Sequence, residues 1–151
     1  MTTTALAPTT TPTSASRNGL LALFGAVDAA LLTAVGTFWD ITGNEPGADH
    51  SWSDYAVCLG VIAVATAVVF GLVVRTAAAG NPGRRGVVLG VLSVLTVAVA
   101  WSGLPMVLAA GALACAFLRK DRHGSFGTAG IAILVDVALA TVGAIAFAIA
   151  G

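Results

Sequence analysis

The chain alternates between long apolar runs and short breaks rich in glycine, proline or charge. The first run covers residues 19–39 and the second residues 54–74, 21 residues each. At a helical rise of about 1.5 Å per residue, such a run is about 31 Å long, close to the thickness of a bilayer's hydrocarbon core. The third stretch, residues 86–118, has 33 residues and is too long for one upright crossing. Near its middle stands Ser102-Gly103-Leu104-Pro105. Proline lacks an amide proton and clashes with the preceding turn, and glycine lets the chain reverse tightly. The stretch therefore divides into helices over residues 86–101 and 104–118. Each is only about 22–24 Å long, so local thinning of the bilayer or flanking residues would have to compensate. A basic loop, residues 119–126, leads to a last run over residues 127–150. The pattern predicts an all-α fold, an integral membrane bundle of five transmembrane helices.

Charge placement supports five spans over four. With the amino terminus inside, Arg17 lies inside, as do Arg75, Arg84 and Arg85, and then Arg119, Lys120 and Arg122. All seven Lys and Arg then share one side, as the positive-inside rule expects, and the carboxyl terminus is outside. A single helix over residues 86–118 would place the last three basic residues outside. Trp39, Trp52, Tyr55 and Trp101 fall near the outer boundary, where amphipathic rings anchor at the interface. Phe70, Phe117 and Phe126 fall toward the inner one.

Composition fixes the class. The chain of 151 residues is 58% apolar and 9% charged, with a mean hydropathy of +0.96. An ordinary soluble domain is roughly 25% charged. Residues 1–18 are dominated by Thr, Pro, Ala and Ser and predict a disordered tail before a transmembrane domain over residues 19–151. The first run is long for a signal peptide and is expected to stay as a span, although Ala34-Val35-Gly36 loosely resembles a cleavage site. No basic cluster is dense enough for a nucleic-acid surface. Cys58 and Cys115 lie in apolar runs and form no metal-ligand spacing. Asp40, Glu45, Asp49, His50 and Asp54 make an acidic outer loop without calcium- or zinc-site spacing. No nucleophile, phosphate-loop or dinucleotide motif is present, no metal site is expected, and nothing names a cofactor.

Small residues and two acids carry the remaining information. Gly86 and Gly90 form a G-x-x-x-G pair, and Ala26/Ala30 and Ala110/Ala114 have the same spacing. Such pairs let helices approach closely. Asp28 and Asp136 each stand nine residues into an apolar run, at matched depth if both runs cross in the same direction. A carboxyl there costs about 2.5–3.5 kcal/mol to insert and is expected to face protein or a cavity. Together they are candidates for a proton- or cation-binding pair, because two close carboxylates would share one proton. The alternative is that each is protonated and bonds to a backbone carbonyl or to Thr33, Ser93, Thr96 or Thr141.

From Asn81 onward the text runs Arg84-Arg85-Gly86-Val87-Val88-Leu89-Gly90, then Ser102-Gly103-Leu104-Pro105, then Thr128-Ala129-Gly130-Ile131-Ala132. This resembles the small Gly/Ala-rich multi-pass domains without established activity found in actinobacterial membrane proteins, over about residues 81–150. The resemblance implies a bacterial inner (plasma) membrane setting and transfers no active residue. A small non-enzymatic multi-pass protein with a structural, regulatory or partner-assembly role is the leading expectation. Its partners would be the lipid bilayer and either further copies or another membrane protein. An oligomeric channel or a proton- or cation-coupled transporter using Asp28 and Asp136 is the alternative, with an integral-membrane enzyme third.

Overall fold

The computed structural model describes residues 14–38 and 52–150, and every regular element among them is helical. Helix α1 spans Ser14–Phe38. Helix α2 runs as α-helix over Trp52–Val68, widens into a π-helical turn over Val69–Val74, and closes with Arg75–Ala77. Helix α3 is α-helical over Pro82–Leu95 and continues as a tighter 3-10 segment over Thr96–Ser102. Helices α4 and α5 span Leu104–His123 and Gly127–Ala150. There are thus five helices, and four of them (α1, α2, α3 and α5) are long and apolar enough to cross a membrane.

The break inside residues 86–118 falls where Gly103 stands. Val99 leaves helical geometry at φ −119° and ψ 37°, and Gly103 takes the left-handed φ of 69°. The Ser102 hydroxyl donates to the Val99 carbonyl at 2.7 Å and accepts from the Leu104 amide at 3.4 Å. Pro105 enters in the first turn of α4, where its missing amide proton costs nothing.

The boundaries differ from the sequence expectation in one direction: the helices are longer. Helix α1 starts at Ser14 rather than residue 19, so part of the expected tail is helical. Helix α3 starts at Pro82, because Asn81 caps it by accepting from the Arg84 amide at 3.2 Å. Helix α4 continues to His123, so most of the expected basic loop is helix. Its 20 residues reach about 30 Å, but the five beyond Leu118 are Arg119, Lys120, Asp121, Arg122 and His123, so its apolar stretch keeps the expected short length.

Helix α4 occupies the centre and packs against all four others. Its buried residues include Val107, Ala109, Ala110, Gly111, Ala112, Ala114, Cys115 and Ala116, which cover its whole circumference. Neighbours close in where one partner is glycine: Gly25 lies over Ala110, Gly86 over Cys115, and Gly111 under Val69 and Leu89. The large apolar side chains point outward instead. Phe24 and Leu31 on α1, Val57, Val64 and Leu72 on α2, and Ile131 and Val142 on α5 are all exposed. Apolar surface this extensive is foreign to a soluble monomer.

The two ends of the bundle differ. At one, Arg17 pairs with Asp121, lies over the Phe117 ring and ties α1 to α4. Arg122 donates to the Gly80 carbonyl at 2.8 Å, Arg119 to the Phe126 carbonyl at 2.9 Å, and Arg85 to Thr76. At the other end Phe38, Trp52 and Tyr55 form an aromatic cluster with ring centroids 4.7–6.3 Å apart.

Candidate functional site

The two acids that stand within apolar runs occupy different environments. Asp136 sits on α5, half-buried, in a notch of α3 that exists because residue 90 is glycine. A Cβ at that position would come within 2.8 Å of Asp136 Oδ2 and 2.9 Å of its Cβ. One turn earlier Gly86 receives Ile133 in the same way, so both glycines of the G-x-x-x-G pair pack against α5. Close approach and the placement of a carboxyl are therefore one feature.

Asp28 is exposed on α1, among Phe24, Val27 and Leu31. This corrects the expectation that it faces the bundle interior. Residues 24, 27, 28 and 31 share one helix face at the 3.6-residue period, and that face looks outward. No hydrogen bond links Asp28 to Asp136, and neither acid bonds to another described residue.

The hydroxyls expected near the acids are directed elsewhere. Ser93 donates to the Gly90 carbonyl at 2.7 Å, Thr141 to Val137 at 2.8 Å, and Thr96 to Leu92 at 2.9 Å. Such bonds to the preceding turn are the local alternative for Ser and Thr within helices. The Thr33 hydroxyl is buried without a partner. Five residues separate it from Asp28, which places the two about 140° apart around α1.

Among the expected packing residues, Ala110 and Ala114 are buried, while Ala26 and Ala30 are half-buried. The Ala30 carbonyl accepts from the Tyr55 hydroxyl at 3.4 Å. Of the expected anchors, Trp52 and Tyr55 belong to the aromatic cluster. Trp39 and the Trp101 side chain lie outside the described residues. So do the acidic-loop residues Asp40, Glu45, Asp49 and His50 and the side chain of Asp54. Among the described residues no three His, Cys, Asp or Glu side chains come together.

Two features have no counterpart in the sequence reading. One is the pairing of Asp121 with Arg17; the signal was available, since Asp121 is the lone acid between basic residues. The other is the π turn of α2. Its far end is held by Thr76, which donates to the Leu72 carbonyl at 2.6 Å, and by Arg85, which reaches the Val73 carbonyl at 3.4 Å. π turns occur often at functional sites.

No family model, curated protein or solved structure matches this chain.

Proposed function

We propose that the chain is a multi-pass plasma-membrane protein of five spans, amino terminus inside and carboxyl terminus outside, that assembles with another membrane protein through the outward face of α1. The observation that carries this reading is Asp28, exposed in the midst of an apolar helical face. A carboxyl left against lipid at that depth costs about 2.5–3.5 kcal/mol, whereas one covered by a donor on a neighbouring span does not. A second copy could not supply a cation, because the apolar stretches between the chain's basic end and its aromatic end contain no Lys, Arg or His. The partner is therefore a span that brings a basic side chain to this depth.

A photo-crosslinker at Phe24 or Leu31, activated in native membranes, tests this. The expected product joins the chain to a span carrying such a residue, and Asp28→Ala lowers its yield about tenfold. A product of two copies of this chain, or a yield indifferent to Asp28, would overturn it.

The notch at Gly90 favours a second reading, in which Asp136 binds and releases a proton or small cation. Its half-buried carboxyl has no hydrogen-bonding partner among the described residues. In liposomes, proton-coupled cation flux should then fall to background in Asp136→Asn. Flux equal to wild type in that variant, or none in wild type, would remove this reading.

A further inference from the structure

We infer that a groove between α1 and α2 at the basic end binds an anionic glycerophospholipid, with Arg75 holding the phosphodiester and one acyl chain lying along Ala22, Phe70 and Val74. The inference rests on the membrane reading above and is independent of Asp28. The groove has a volume of about 360 Å³ and is floored by Leu118 of the central helix. That is at the small end of ligand pockets, roughly 300–1,000 Å³, and suits a segment of chain with its headgroup left outside.

Its walls are apolar except at Asn18 and Arg75. Ala15 and Ala78 stand nearest the basic end, Asn18 and Arg75 one turn in, and Ala22 and Phe70 further along the two helices. The α1 wall is low because Gly19 carries no side chain; a Cβ there would meet nothing within 4 Å. The π turn supplies Phe70 and Val74 to the opposite wall.

The side-chain contacts at this end leave the groove's one arginine unengaged among the described residues. Arg17 is paired with Asp121, Arg85 bonds to Thr76, Arg119 to Phe126 and Arg122 to Gly80, while Lys120 lies over the Phe126 ring. Among the described residues, Arg75 and Arg84 are the cations whose side chains have no such contact, and only Arg75 lines the groove. On the α1 wall the Asn18 side-chain oxygen is buried and accepts no hydrogen bond. An unengaged guanidinium on an otherwise largely apolar groove fits the phosphodiester of an anionic lipid such as phosphatidylglycerol.

The test is native mass spectrometry of the delipidated full chain in detergent, titrated with phosphatidylglycerol or phosphatidylcholine of the same acyl chains. Wild type should retain phosphatidylglycerol about five- to tenfold better, since one interfacial Arg contributes on that order. Arg75→Gln should abolish the preference, Arg84→Gln should keep it, and Gly19→Leu should weaken both lipids by filling the groove. Equal retention of both lipids by wild type would overturn the inference, as would an Arg84→Gln effect as large as that of Arg75→Gln. Displacement of the lipid by millimolar glycerol phosphate would also overturn it, because the site would then hold a small anion rather than a lipid. Arg75 is exposed, so its variant should unfold at the wild-type temperature; if it does not, the Gly19→Leu result decides.

Discussion

Helices α2 and α4 reverse the arrangement of a soluble protein. Helix α2 includes the most apolar of the membrane-length segments, yet Val57, Val61, Val64, Val68 and Leu72 are exposed. Helix α4 ends in Arg119, Lys120, Asp121 and Arg122, and its core stretch is built of Ala, Gly and Cys, yet it is the buried one. In water the valine-rich helix would be the one to hide. With lipid outside, burying a valine exchanges one apolar neighbour for another and gains little. What then selects the central helix is how closely others can approach it, and small side chains allow the closest approach. Side-chain size rather than apolarity sorts these two helices.

The sharpest way to break that contrast is at the entry to α4. Gly103 has a φ of 69°, and a Cβ there would lie 2.9 Å from the Ala29 carbonyl and 2.9 Å from Ile62 Cδ1. Gly103→Ala meets both a backbone penalty and contact with a main-chain atom that cannot step aside. The expected loss is about 2–4 kcal/mol, read as reduced folded yield on size exclusion and a lower unfolding temperature in detergent. A variant that folds and melts like wild type would mean that the turn between α3 and α4 tolerates another geometry.

That turn was legible in the sequence. Gly103 and Pro105 mark it, and the positive-inside expectation for Arg119, Lys120 and Arg122 points the same way. The full extent of α4 was not. Charged residues at the end of a helix read like a loop, but long basic side chains can keep their heads in water while the backbone stays helical. The orientation of Asp28 was hidden for a different reason. Helix α1 is apolar on nearly every face, so no periodicity marks which side turns inward. Asp136 could be picked out as an exception, and Gly90 as a packing residue, but only the packing of α3 on α5 joins them. The groove was out of reach, since it needs Asn18, Phe70 and Arg75 together, from two helices and across a π turn.

The finer prediction makes the same substitution on both sides of the comparison. Gly111 lies in α4 and Gly60 in α2, and both are in regular α-helix. Alanine gains about 1 kcal/mol of helix propensity over glycine at either position. At Gly60 nothing lies within 4 Å of the added carbon, so the gain should survive as unchanged or slightly higher stability. At Gly111 the added carbon presses into Val69 and lies 3.3 Å from Leu89 Cδ1. With Val69 in so close a contact, overpacking costs toward the upper end of its usual range, about 2–3 kcal/mol, which exceeds the gain and leaves a net loss of about 1–2 kcal/mol. Denaturant titration in mixed micelles would measure both. Opposite signs are expected, and they separate packing from propensity because propensity is common to the two variants. Losses of equal size would mean that the α2 face bearing Gly60 is itself covered by a close neighbour. Equal gains would mean that Val69, held in the π turn, yields to a methyl group, and the centre of the bundle would then be looser than its small residues imply.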